Sequence, residues 1–490
     1  MIPVGDYRPD LPDFQNPGAT RALNVLPSAT SYRPLSGLVA YSDALAGRCQ
    51  GAFATRDSSA NVFNFAGDAG HLYHLDGAAW TGVTRASGGP YGTASDGGWS
   101  FTQFGDLVIA VNGVDAPQSW ALGSATRFAA LAGDPPFGRF VSTVRDFVVI
   151  GRISGFPNRV QWSGINNPET WSPSAATQAD FQTLPDGGWV QGLVGGEYGI
   201  VFQERSIKRM TYIGAPLIFQ FDEIARNRGV VAEGSIANFE TTAFFLDNDG
   251  FHALIGGQQL QPIGDQKVDK SFWRTVDQNH LHRISAAIDP INKLYIVSYP
   301  GNGSVNGTPN RLLIYNWTAG RWSEAEVEMD LVYPSLSESS YTLDSLDSVS
   351  SSLDALGFSL DSRNWTGGLI LLSAFDPARR LSLFTGPTLP ATVDTGEAQL
   401  FPGRRAVISS VRPIVEGGLS TGTEPSIQLG VRNRTMDEVA WGPATRTNIH
   451  GECPARSAGR YHRARISLPA GAEWRHIQGV DLVAKPEGRR

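Results

Sequence analysis

His71 and His74, in the run HLYHLDG, have a residue type that ligates metals, and they are two of only eight histidines in a chain of 490 residues. Three apart on a strand, they fall on opposite faces and cannot close on one ion. His280 and His282 in QNHLHR share a face, but no neighbour completes a ligand shell around them. Asp247, Asn248, Asp249 and Gly250 in FLDNDGFH resemble the start of a calcium loop without the glutamate that closes one. The same letters make an Asn-Asp-Gly hairpin turn, which is the reading they predict. GGPYGTASDGG, residues 88–98, is glycine-rich but lacks the Lys-Ser/Thr that would hold phosphate and magnesium, and no His-Glu-x-x-His pair occurs. Glu204 and Asp222 end strands and are the carboxylates to weigh for glycan cleavage, which needs such a pair beside aromatic platforms. The sequence thus predicts no catalytic residue, no cofactor and no metal site, and a protein that is not an enzyme.

The two cysteines, Cys49 and Cys453, exclude a disulfide framework and any C-x-x-C motif, and read as buried free thiols. A net charge of −7 carries no basic footprint of a sequence-reading DNA binder. The first residues, MIPVGDYRPDLPDFQNPG, are acidic and broken by proline where a signal peptide needs a positive start and an apolar run. No window has the roughly 18 continuous apolar residues of a membrane helix. With 55 Gly, 30 Pro and 18% charged residues, the composition is rich in turns and poor in charge, as in all-β proteins.

The elements divide the chain into four segments. Residues 1–46 carry Pro3, Pro9, Pro12, Pro17, Pro27 and Pro34, and read as an extended N-terminal arm with one short strand, lying on a neighbour. Residues 47–330 are short runs rich in Val, Phe, Tyr, Trp and Ile at spacings of about 8 to 12 residues, the rhythm of antiparallel sheets. They group into sets of three or four strands, each about 40 residues long, which fits a β-propeller of about six blades. A large β-sandwich gives the same spacing. KVDKSFWRTV stands out as a short helical piece. Residues 331–366 include four Leu-Asp pairs among serines, at Leu343-Asp344, Leu346-Asp347, Leu353-Asp354 and Leu360-Asp361. Their intervals do not fit a calcium repeat, and their leucines need a surface to cover, so the segment reads as an ordered spacer. Residues 367–490 alternate apolar and polar positions, as in RRAVISSVRPIVEG and RYHRARISLP, and predict a small antiparallel β-sandwich or barrel.

Three stretches carry a family likeness: DLPDFQNPGATRALNVLPSATSYRPLSGL, then NRVQWSGINNPETWSPSAATQADFQTLPDGGWVQGLVGGEYGIVFQERSIKRMTYIG, then CPARSAGRYHRARISLPAGAEWRHIQGVDLVAKPEGRR. With them, most of the chain resembles the tail nozzle proteins of short-tailed bacteriophages, also called tail tubular protein B or tail hub proteins, and related prophage structural proteins. The resemblance implies a propeller with added β domains, in six copies forming a tube below the head-to-tail adaptor ring. It implies further tail proteins (fibre or needle) as neighbours, non-specific contact with genomic DNA in the channel, and a place in the virion tail after assembly in the host cytoplasm. It supplies no active-site residues. Asn167, Pro168, Trp171 and Asp186, with Tyr461, Arg463 and Arg465, are the expected intersubunit contacts, while Trp162, Trp171 and Trp189 are the tryptophans expected in the core. Two rival functions remain at this point: a glycan-binding or glycan-cleaving propeller that recognises a host surface, and an intracellular propeller hub for other proteins.

Overall fold

The computed structural model describes residues 1–14, 16–337, 352, 368–417 and 422–487. Five consecutive stretches each form a four-stranded antiparallel meander: Gly51–Arg56 to Ala79–Gly82, Ser100–Phe104 to Ala129–Ala130, Gly138–Val144 to Asp180–Thr183, Val190–Val194 to Ile218–Arg226, and Ala237–Phe239 to Gln259–Pro262. A sixth runs from Ser285–Asp289 through Leu294–Tyr299 and Arg311–Asn316 to Arg321–Glu326. The seventh is assembled from distant parts of the chain, with Leu331–Leu336 innermost, then Ile370–Phe375 and Arg380–Leu383, and Val39–Ala44 of the arm outermost.

These seven sheets close into a ring. A buried apolar cluster fills each gap between neighbours, and the last joins Tyr333, Phe375 and Leu381 of the seventh sheet to Ala66, Tyr73 and Leu75 of the first. The strand Leu107–Val111 shows why such sequences form blades: Val108 and Ala110 pack with Phe65 and Trp120 on one side, Ile109 and Val111 with Val141 and Val148 on the other. A strand covered on both faces reads as continuous hydrophobicity rather than alternation. The molecule is therefore a seven-bladed β-propeller, one blade more than the strand grouping in the sequence predicts.

The arm is not a loose extension. Arg21–Leu23 runs parallel to the outer strand of the sixth blade, pairing Leu23 with Glu324, and antiparallel to Ala391–Asp394. The sixth blade thus continues into a sheet with Tyr461–Leu468 and Ser426–Arg432. A second sheet stacks Val25–Pro27, Tyr32–Pro34, His476–Pro486, Ala406–Glu416 and Ser457–Gly459, with Ile2–Pro3 paired to His476–Pro486. Ile427, Leu429 and Ile466 of one sheet meet Ile408, Val411 and Ile477 of the other in a cluster that also holds Phe251, Phe272 and Trp322 of the propeller. The C-terminal unit is a β-sandwich fused to the propeller through a common core, and the arm contributes to both of its sheets. Arg321 fastens the arm, its guanidinium donating to the carbonyls of Ser28 (3.0 Å), Ala29 (3.2 Å) and Gly5 (2.7 Å) and stacking over Tyr32.

Two expectations change accordingly. Residues 1–46 hold five strands rather than one, because prolines at strand starts and ends leave short ladders intact. The domain boundaries also move: residues 331–336, assigned from sequence to the spacer, and Ile370–Phe375 and Arg380–Leu383, assigned to the C-terminal domain, are strands of the last blade, because its sheet is assembled from distant parts of the chain. The four Leu-Asp pairs lie outside the described residues. The helical piece is a real helix, Asp269–Thr275, with Asp10 of the arm accepting from the backbone N–H groups of Lys270 and Ser271. Thr242–Asp247 and Gly250–Ile255 form the expected hairpin, with Asp247 opposite Gly250.

Candidate functional site

The seven inner strands run side by side, so the segments that lead into them gather at one end of the propeller axis. They enclose a cavity of about 340 Å³ to which all seven blades contribute. Its walls carry the charged side chains of Arg48, Arg139, Glu233, Arg283 and Asp330 and the imidazole of His282. Arg48 precedes the first inner strand, Arg139 lies within the third, Glu233 precedes the fifth, His282 and Arg283 precede the sixth, and Asp330 precedes the seventh. Gly98 and Gly234, which also line it, let neighbouring inner strands approach closely: a Cβ would stand 2.5 Å from the Gln50 carbonyl oxygen at Gly98 and 2.0 Å from that of Ile284 at Gly234.

Arg283 pairs with Asp330 at 3.0 Å, both of them about nine-tenths buried. Arg139 donates to the Gly98 carbonyl (2.6 Å) and pairs with Glu233 at 3.1 Å, and Arg152 pairs with the same carboxylate. Arg48 donates to the Ser95 carbonyl at 2.7 Å. Burial lowers the pKa of Arg48, with the positive charge of Arg283 as the next cause. Burial likewise lowers those of Arg139 and Arg283 and raises that of Asp330, which Arg283 and Arg48 oppose. His282 is pushed down by burial and by His280, so at neutral pH it adds hydrogen-bonding capacity rather than charge. On the same face, Trp189 is 50% exposed with the Arg152 guanidinium 5.1 Å from its ring centre. The expectation that Trp189 lies in the core is thus reversed, while Trp162 and Trp171 are buried as expected.

The residues expected to make contacts between subunits fall in two places. Asn167, Pro168 and Asp186 lie on loops of the third and fourth blades, with Asn167 and Asp186 exposed. Trp171 is 2% exposed, and its indole donates to the Pro168 carbonyl at 2.8 Å, so it shapes that loop from within. Gly133 supports the same loop: its φ is 84°, and a Cβ there would stand 1.6 Å from the Glu169 carbonyl oxygen. Tyr461, Arg463 and Arg465 share one strand of the sandwich, where Arg463 pairs with Asp13 at 2.7 Å and Arg465 with Asp394 at 2.7 Å under Trp441. Tyr461 meets Phe14 edge-on. Arg463 and Arg465 therefore hold the arm and the neighbouring strand within the chain.

Glu204 and Asp222 do not line the axial cavity; their polar contacts are with Gln191 and Gln220. Among the described residues no group of three or more His, Cys, Asp or Glu could hold a metal ion. Burial raises the Cys49 thiol to about 12 and Cys453 to about 11, which makes both poor nucleophiles. The sequence did carry a signal for the axial site: a charged residue beside the start of a hydrophobic inner strand, as at Arg48, Arg283 and Asp330.

No protein-family model matches the chain, and no curated protein matches it. Among solved structures, the chain is similar to BamB from Moraxella catarrhalis, with 12% identity over 74% of this chain and 92% of that one and a TM-score of 0.35. It is also similar to the Pan2 WD40 domain of Neurospora crassa, with 9% identity over 63% and 90% of the two chains and a TM-score of 0.36. YCF48, solved bound to a D1 peptide, gives 11% identity over 60% and 86% and a TM-score of 0.35. At such identities a likeness extends to the fold alone.

Proposed function

We propose that this chain is a structural virion protein, a subunit of the tail nozzle or hub of a short-tailed bacteriophage. Six copies would form a tube that extends the portal-adaptor channel, retains the genome until infection and then conducts it. The observation that carries this reading is the lacing of one chain through both domains. Load applied to the sandwich passes along a hydrogen-bonded sheet into the sixth blade, and the arm that links them also closes the ring at the seventh. A conduit that retains packed DNA needs such load-bearing continuity.

The propeller's own axis is not the conduit in this reading. A cavity of about 340 Å³ cannot admit a duplex whose major groove alone is about 12 Å wide. DNA would pass on the axis of the six-fold ring, between subunits joined by heterologous contacts that close. The net charge of −7 suits a wall that DNA slides past, since each neutralised phosphate would add affinity. The test is assembly of the purified chain with the adaptor ring, followed by electron microscopy. Rings of six are expected, and a chain that stays monomeric beside the adaptor ring counts against the proposal.

A second reading, a glycan-binding propeller at the host surface, draws on the exposed Trp189 beside the axial mouth. Binding or turnover of a bacterial surface polysaccharide by the purified chain would favour it over the nozzle.

A further inference from the structure

We propose that the mouth of the propeller axis is a binding site for a single oxyanion-bearing group, a carboxylate or a phosphate, gripped by Arg48, Arg139 and Arg283. The inference is independent of the nozzle reading and rests on the balance of charge around the cavity. Arg139 and Arg152 share one partly buried carboxylate, Glu233, and Arg283 takes the buried Asp330. Among the described residues Arg48 has a backbone carbonyl and no carboxylate within ion-pair distance. Three guanidiniums, Arg48, Arg139 and Arg283, and two carboxylates, Glu233 and Asp330, line the cavity, and outside the lining Arg152 acts on Glu233 and the exposed Asp96 on Arg139 and His282.

An excess cation in a partly enclosed space is costly unless an anion joins it. Arg48 and Arg283 are neighbours: the charge of Arg283 destabilises protonated Arg48, and Asp330, the ion-pair partner of Arg283, is the carboxylate that offsets this for Arg48. Arg283 also has a buried Nε with no hydrogen-bond partner among the described residues. Guanidinium forks match the two-oxygen edge of a carboxylate or a phosphate. The volume of about 340 Å³ is at the small end of ligand pockets, which start at roughly 300 Å³. It suits one acidic group with the ring or short chain that bears it.

The test is calorimetric titration and thermal unfolding of the full chain with inorganic phosphate, glucuronate and glucose, at constant ionic strength set with potassium chloride. Phosphate and glucuronate are expected to bind and to raise Tm above the chloride baseline, and glucose to do neither. Arg48→Met should weaken both anions at least tenfold. The double variant Arg283→Met with Asp330→Asn, which removes cation and anion together and so strands no buried charge, should do the same while keeping the unliganded Tm near wild type. Glucuronate at least tenfold tighter than phosphate would trace the oxyanion to a saccharide acid, and the reverse order to a phosphate ester. The proposal is overturned if neither anion acts beyond chloride, if glucose binds as well as glucuronate, or if Arg48→Met and a folded double variant bind like wild type.

Discussion

Arg321 is 3% exposed; its two terminal nitrogens donate to carbonyls of the arm, and its Nε lies 3.0 Å from the Asp6 carboxylate of the same arm. Removing one partner of such a buried charged network costs on the order of 3–5 kcal/mol. Arg321→Met keeps the bulk of the stem and strands the carbonyls, so urea unfolding should show a loss of about 3 kcal/mol or more. Proteolysis should then cut first within residues 1–46, and an unfolding free energy unchanged by the substitution would mean that the arm is held by its ladders alone. Asp269 offers a second test, since burial raises its pKa from the usual carboxylate range to about 7, with the Phe251 N–H opposing the effect and Asp10, Asp265 and Asp249 adding to it. Because folding raises this pKa, the folded chain holds a proton that the unfolded chain releases between pH values near 4 and 7. The stabilisation is complete below that window and is lost as pH rises through about 7. Asp269→Asn keeps an acceptor for the Phe251 N–H and should flatten the fall of Tm between pH 5 and pH 8. An identical slope in wild type and variant would exclude Asp269 as its cause.

The arm is the element on which the architecture turns, because Val39–Ala44 supplies the outer strand of the seventh blade, next to Arg380–Leu383. Deleting residues 1–46 should open the ring, expose a strand edge and yield aggregates or a Tm at least 10 °C lower. Adding a peptide of residues 1–46 in trans should restore part of the loss, whereas a truncated chain that unfolds like the intact one would show the closure to be dispensable. Six of the seven blades were legible in the sequence because each is one contiguous meander with its own hydrophobic rhythm. The seventh was not, since its strands come from residues 39–44, 331–336, 370–375 and 380–383, and local spacing cannot join segments so far apart. Prolines hid the arm's strands for a related reason: Val25–Pro27 and Tyr32–Pro34 are three residues each, too short to show a period. The axial site was only half legible. Its arginines stand beside strand starts that the sequence marks, but their convergence depends on the ring closing, and the carboxylates weighed from sequence, Glu204 and Asp222, do not line the cavity.

At the scale of the molecule, propeller and sandwich share a cluster that runs from Phe251 and Trp322 to Ile408 and Ile477, and a ten-stranded sheet crosses the junction. Units joined by a common core unfold together, so calorimetry should record one cooperative transition. Two separate transitions would mean that the junction is weaker than its packing implies. The same continuity underlies the conduit proposal, in which the chain acts as a rigid stave of a six-fold tube. Cryo-electron microscopy of intact particles that carry this chain tests that claim most directly. The account predicts six seven-bladed propellers with their fused sandwiches beneath the adaptor ring, around a channel wide enough for duplex DNA and outside the propellers' own axes. Particles in which the chain is absent, or present without six-fold order around the DNA path, would contradict it.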